Sequence, residues 1–432
     1  MRRNAAVIAA ATAGGLCVLA SPAVAQTSSA ASASGDTAWL LSATALVLLM
    51  TLPGLALFYA GLVRVKNVLS VMTHCVAIAC LASIVWLAAG YSLSFSGTAP
   101  LIGDLREAFF PAARSAQRSG VPESLFFMFQ MTFAIITPSL IVGAVVERIR
   151  FSAVLLFSAL WVLAVYAPVA HWVWGGGWLM QRHVMDFAGG LVVHATAGTS
   201  ALVLAWRLGP REGFPRDLAP PHNPGMTMIG AAMLWVGWFG FNGGSALAAN
   251  ADAASALMAT HLAAASAGLV WAAIEWRRFR RPSMVGLVTG IVAGLATVTP
   301  ASGFIGPAAA VALGAAGSLI CYQAVDFVKH RLKIDDSLDV FAVHGVGGML
   351  GSLLVAVLAW SRLGGAGYAP GMGVGEQTVV QLLGLAATVG WSAIVTLGLA
   401  FVVQKVVGLR APSEAIEEGL DMAEHGERAW NP

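Results

Sequence analysis

The chain has 432 residues, of which 58% are hydrophobic and only 10% charged, with 48 glycines among them. Soluble domains carry about 25% charged residues, and disordered chains are charge-rich and apolar-poor, so both classes are excluded. The apolar runs are long and unbroken rather than short and alternating, which excludes an outer-membrane barrel and leaves an all-α membrane protein.

The first 25 residues read as a secretory signal peptide. Arg2 and Arg3 precede an apolar, small-residue stretch from Ala5 to Ala20, and Ala23-Val24-Ala25 is an A-x-A cleavage site. A Ser/Ala-rich stretch within 26–36 reads as a flexible linker. From Trp39 the pattern predicts eleven transmembrane spans, at about 38–61, 68–95, 124–146, 151–172, 187–206, 225–245, 253–276, 284–301, 304–328, 339–359 and 377–405. The membrane domain is therefore 37–405, followed by a tail, 406–432. Of the four cysteines, Cys17 lies in the leader, while Cys75, Cys80 and Cys321 lie in apolar runs and read as buried free thiols.

The basic residues orient this map. Alternate loops hold Arg64, Lys66, Arg148, Arg150, Arg207, Arg211, Arg216, Arg277, Arg278, Arg280, Arg281, Lys329, Arg331 and Lys333, and the tail adds Lys405, Arg410 and Arg428. The opposite loops hold only Arg106, Arg114, Arg118, Arg182 and Arg362. The positive-inside rule then places the tail in the cytoplasm and the N-terminus outside, in a multi-pass protein of the inner (plasma) membrane. Eleven spans suggest five plus five plus one. An odd-numbered repeat must be inverted in the membrane, which makes spans 5 and 10 partners.

Ionisable groups inside spans are functional candidates. Glu275 and Asp326 lie near span ends and are expected to snorkel. His74 and His261 each stand alone and read as packed histidines. His194 and His344 differ, since they occupy corresponding places in spans 5 and 10. Inversion brings them together at mid-membrane, where a neutral imidazole pair can share one N–H···N bond. Each follows an aspartate, Asp186 in one case and Asp339 in the other. Asp186 is expected to cap span 5 and to add negative potential at its entrance. No third ligand is suitably spaced for zinc, so no metal or cofactor is expected.

Aromatic residues form the second constellation. His171-Trp172-Val173-Trp174-Gly175-Gly176-Gly177-Trp178, the phenylalanines around Phe133, and Trp238-Phe239-Gly240-Phe241-Asn242-Gly243-Gly244-Ser245 all fall toward one side. An interfacial belt explains many of these rings, but not the glycine runs that let backbone and ring approach. Facing rings hold a small cation by cation–π attraction, worth about 2 kcal/mol when desolvated.

With these motifs, together with Pro53-Gly54, Phe58-Tyr59 and Glu147-Arg148-Ile149-Arg150-Phe151, the chain from about Trp39 to its end resembles the ammonium transporter family, related to the Rhesus glycoproteins. The resemblance implies transport of ammonium/ammonia, with methylammonium as analogue, and no enzymatic activity. It implies an outer cation site on Trp174, Phe133 and Ser245, and a gate of stacked rings on Phe133 and Phe241. It further implies a pore past the paired His194 and His344, a pore-lining Trp238 and a buried Asp186. A homotrimer with one pore per subunit is implied too, as is a tail that packs under neighbouring subunits and couples to a PII-type signalling protein. On composition alone the tail reads as acidic and solvated. The chain departs from the family pattern at Trp430, where tyrosine is usual, and at Pro138, which is expected to kink span 3 below Phe133. His74 and Leu338 are further departures. An ammonium sensor of the same fold is the alternative reading. An intramembrane enzyme lacks a nucleophile beside the histidines.

Overall fold

The computed structural model describes residues 21–430. Residues 1–20 of the expected leader, with Cys17, lie outside the described residues. From Ser21 the backbone is helical without a break to Leu49. The stretch read as a flexible linker is thus helix, in keeping with its alanine content and lack of proline.

Among the described residues ten helices have the length and apolarity to cross a membrane: α1 (Ala33–Leu62), α2 (Val65–Phe95), α3 (Glu123–Val142), α4 (Phe151–Val173), α5 (Gly190–Leu208), α6 (Pro224–Gly244), α7 (Ala251–Phe279), α9 (Pro307–Leu332), α10 (Phe341–Leu358) and α11 (Val374–Val406). The remaining expected span forms α8 (Met284–Val298), which is apolar but shorter, at 15 residues. Start signals are local. Asn223, Asn250 and Ser283 each accept an amide N–H with the side chain, opening α6, α7 and α8. Pro138 does not break α3, which stays helical from Glu123 to Val142.

Several spans widen into a π-helical turn, at Met50–Leu55 around Pro53 and at Gly190–Ala195 and Phe341–Gly345 around the two paired histidines. Such turns recur at functional positions because the extra residue re-aims side chains. The partner helices α1 and α6 pack together, as do α5 and α10. The segment before α5 hydrogen-bonds to the end of α8 (Phe187 N–H to Pro300 O, 3.0 Å), and the segment before α10 bonds to the end of α3 (Leu338 N–H to Gly143 O, 3.1 Å).

The two other intramembrane histidines part company. His74 is buried and stacks on Phe151, with ring centroids 5.8 Å apart. His261 is exposed on α7 against Trp235, so it is not the packed residue its sequence suggests. Cys75 and Cys321 are buried, but Cys80 faces outward. In both corrections the residue lies on the outward surface of an apolar helix.

The face carrying the tail is held by a buried ionic clasp. Arg211 lies 2.9 Å from Asp335 and 3.3 Å from Glu147, and Arg64 lies 3.2 Å from Glu147. Burial alone would raise the Glu147 carboxyl, but the two guanidinium groups reverse this and hold it below its ordinary value. Arg148 is fully buried and donates to the carbonyls of Asp335, Ala144 and Gly209.

The tail is docked on this clasp rather than solvated. Arg150 N–H bonds to Leu409 O, and Ala411 N–H to Arg148 O. The Asp421 carboxylate accepts the amides of Leu69 and Ser70, and Glu424 accepts that of Phe151, so tail acids cap α2 and α4. Trp430 meets His222 edge-on at 5.6 Å.

Candidate functional site

The site begins where the chain turns into α5. The Asp186 carboxylate is buried and accepts four successive amides, from Gly189, Gly190, Leu191 and Val192, at 2.5–3.1 Å. The turn that aims them needs φ +115° at Gly189, a left-handed conformation that suits glycine. Asp186 therefore caps α5, as its sequence position suggests. Burial pushes its carboxyl up to about 6, against the pull of the four amides. Among the described residues no cation pairs with it.

The start of α10 repeats this device. Asp336, also buried, accepts the amides of Val340 and Phe341 at 3.0 and 2.7 Å. The left-handed residue is Asp339, at φ +60°. Burial and the neighbouring Asp339 push the Asp336 carboxyl up to about 7. Asp339 itself caps nothing and pairs with Lys329 at 2.7 Å.

These two turns deliver the histidines to one another. His194 Nδ1 lies 3.3 Å from His344 Nδ1, with the rings stacked at 17° and centroids 5.3 Å apart. Between two such nitrogens one N–H donates and the other nitrogen accepts. The Nε2 of His194 is buried and has no protein partner. The helices touch backbone to backbone at this crossing. A side chain at Gly198 would strike the backbone of Gly345, and one at Gly348 would strike the Cβ of His194.

The aromatic residues stack above the pair, on the side away from the tail. Phe133 and Phe241 face each other at 4.3 Å and 25°. Trp174 stands edge-on to Phe133 at 5.9 Å, and its indole N–H donates to Asp186 O at 2.9 Å. The Asp186 turn thus positions the ring that walls the mouth. Ser245 donates its hydroxyl to Phe241 O, one helical turn below, which leaves its oxygen free to accept. Trp238 lies parallel to His194, centroids 5.6 Å apart, and is fixed by a hydrogen bond to Thr299 Oγ1. Successive contacts join the eight residues, from Asp186, Trp174 and Phe133 through Ser245, Phe241 and Trp238 to His194 and His344.

Two cavities border these contacts. A narrow one, lined by Phe58, Val193, His194, Trp238, Phe241 and His344, has about 10 Å³ for the centre of a water-sized sphere. That is room for about one small molecule. A wider vestibule of about 210 Å³ opens from His344 to the tail face past Tyr59, Arg211, Lys329 and Asp339.

Residues 38–430 match the model of the Ammonium Transporter Family. The chain belongs to the ammonium transporter family. It is 43% identical over 398 residues to the ammonium transporter Amt1 of Archaeoglobus fulgidus, covering 92% of this chain and 99% of that one. It is 44% identical to an ammonium transporter of Bacillus subtilis, covering 92% and 98%. Among solved structures it is similar to a chain named Sensor Amt Protein, with TM-score 0.85 and 32% identity over 91% of this chain and 99% of that one. It is also similar to Mep2 of Candida albicans, with TM-score 0.81 and 34% identity over 88% and 87%. Family membership makes it a multi-pass transport protein and not an enzyme.

Two features of this transporter escape the sequence reading. Asp336, rather than Asp339, is the counterpart of Asp186. The signal was present, since Asp186 precedes His194 by eight residues and Asp336 precedes His344 by eight. Gln381 of α11 accepts from Met185 N–H and donates to the carbonyls of Met185 and Ser352, tying the Asp186 turn to α10. Only the fold brings that glutamine to the site.

Proposed function

We propose that this protein carries ammonium nitrogen across the plasma membrane as ammonia. NH4+ is held at the outer mouth by Trp174, Phe133 and Ser245, with Asp186 supplying uncompensated negative charge nearby. It gives up a proton to water of the outer mouth as it reaches the Phe133–Phe241 gate. NH3 then passes His194 and His344 beside Trp238 and is re-protonated in the vestibule. The observation that carries this reading is the small cavity lined by Phe241, Trp238 and both imidazoles. It suits one small neutral solute with a hydrogen-bonding need that His194 Nε2 can meet. An ion at this depth would cost several kcal/mol. Potassium is of similar charge but has no proton to leave behind, so the same step that admits ammonia rejects it.

Eleven crossings in an inverted five-plus-five repeat plus one complete the proposal, supported by the matched turns before α5 and α10. The basic side chains support a cytoplasmic tail and an external N-terminus. A homotrimer with one pore per subunit, and a PII-type protein at the tail face, are part of the same reading.

The test is reconstitution in liposomes, with methylammonium uptake and ammonium-evoked current on solid-supported membranes. The wild type is expected to show uptake, and His194→Ala with His344→Ala to lose it. Phe133→Ala and Trp174→Leu are expected to weaken ammonium affinity or potassium rejection, and if neither does, the aromatic assignment is wrong. A second reading, an ammonium sensor, draws support from the likeness to the Sensor Amt Protein. Absence of both uptake and current in the wild type would favour it.

A further inference from the structure

His171 lies in the last turn of α4, three residues before Trp174, and is fully buried. Its Nδ1 lies 3.0 Å from the carbonyl oxygen of Ser94, and its Nε2 lies 2.6 Å from that of Ala99. A carbonyl oxygen only accepts, and a neutral imidazole has a single N–H to give. Both hydrogen bonds therefore form only when each ring nitrogen carries a proton. The surroundings suit the resulting cation. Ser94 lies in the last turn of α2, as His171 does in that of α4, so two helix C-termini meet at the ring. Each brings partial negative charge from its last carbonyls. Among the described residues no carboxylate pairs with His171, Asp186 included. The acids of the adjoining loop are engaged elsewhere, Asp104 by Arg106 and Glu107 by Arg118.

The same contacts fix the turn that follows Trp174. The amides of Gly175 and Gly177 donate to His171 O at 3.1 and 2.9 Å. A side chain at Gly175 would strike the Ser94 carbonyl that the His171 ring holds. Trp178 N–H donates to Pro100 O, and the Trp172 indole N–H to Leu101 O. Segment 94–101 thus offers a row of carbonyls on which the turn rests. The Trp174 indole itself is held from the other side, by Asp186 O.

We propose that His171 is a buried imidazolium and a positioning residue, which holds Trp174 at the outer mouth by clamping the end of α4 to Ser94 and Ala99. This role rests on the assignment of the outer cation site to Trp174. His171 acts through that ring and does not touch the solute. The clamp needs donors on two separate atoms. Glutamine has only one donor nitrogen, so it can serve one carbonyl and leaves the other bare.

Two measurements test this. The first is nitrogen NMR of the full-length protein in liposomes, with isotope-labelled histidine. One ring is expected to carry two N–H protons that resist exchange with solvent, and His171→Gln should remove that signal. Absence of any such ring in the wild type overturns the charge assignment, even if the glutamine variant fails to fold. The second is methylammonium uptake. His171→Gln should raise the half-saturating concentration about tenfold, as for one lost hydrogen bond to a charged group, and leave the maximal rate within about twofold. Added to Trp174→Leu, it should cost less than about twofold more, because the ring to be positioned is gone. A full tenfold cost in the double variant overturns the positioning role, as does a fall in maximal rate alone. If Trp174→Leu weakens uptake and His171→Gln does not, only this inference fails. If Trp174→Leu is itself silent, or the wild type shows no uptake, the assignment of the outer site fails and this role falls with it.

Discussion

The turns into α5 and α10 are the same device in two electrostatic settings. At α5, Asp186 caps four amides with no cation beside it, and a glycine takes the left-handed position. At α10, Asp336 caps two amides, and the left-handed residue is an aspartate neutralised by Lys329. Among the described residues neither cap carboxylate has an ion-pair partner, and the α10 turn adds an ion pair, Asp339 with Lys329, that the α5 turn does not have. Symmetry of backbone and asymmetry of charge come from different residues, so each can be broken separately.

The largest expected effect comes from the caps. In Asp186→Asn the carboxamide oxygen can serve about half of the amides that the carboxylate serves, leaving two without an acceptor. Each orphaned amide costs about 1–3 kcal/mol, so thermal unfolding should shift by roughly twice as much as in Asp336→Asn. Methylammonium uptake should fall at least about 100-fold in the first variant and about tenfold in the second, because only the Asp186 turn also fixes Trp174 at the mouth. Equal losses would break the comparison.

Next come the crossing glycines. Gly198→Ala and Gly348→Ala each force a methyl group into the facing backbone or His194, at about 1–3 kcal/mol. Because both methyl groups enter the same helix crossing, the two should destabilise alike and both should slow uptake. A large difference would mean that only one side of the contact is rigid.

A smaller effect is expected from pH. A carboxyl whose pKa is raised takes up its proton earlier as pH falls. With pH kept equal on both sides, methylammonium counterflow should decline several-fold as pH drops through about 6, where Asp186 loses its charge. A weaker inflection is expected near 7 from Asp336. A flat profile from pH 8 to 5 would detach both aspartates from the pore. The smallest effect is expected from Lys329→Gln, whose partly exposed pair with Asp339 contributes about 1 kcal/mol or less. It should leave stability nearly unchanged, while adding negative charge to the vestibule.

Much of this arrangement was legible in the sequence. Span positions follow from apolar run length, and the pairing of His194 with His344 from their equivalent places. The aromatic stretches stood out because their types and glycine neighbours suit a cation, while the individual rings were assigned by the family resemblance. The Asp336 cap was missed because Asp339 is nearer to the histidine, and a non-glycine residue is not expected at positive φ. The exposure of His261 and Cys80 depends on which face of a helix meets lipid, and an all-apolar span carries no such mark. Tail docking was hidden for another reason. Asp421 and Glu424 look like solvated acids until the free amides at the starts of α2 and α4 are brought beside them.

The crossing of α5 and α10 has a consequence for motion. Two helices separated by bulky side chains can slide or rock, since rotamers give way as the axes shift. Here Gly198 meets the main chain of Gly345, and Gly348 meets the His194 Cβ and the Gly190 carbonyl, leaving nothing soft between. Such a joint is a weld rather than a hinge, and it stands where a rocking carrier would need its pivot to turn. Opening is then left to the Phe133 and Phe241 rings, whose rotation needs no movement of the helices.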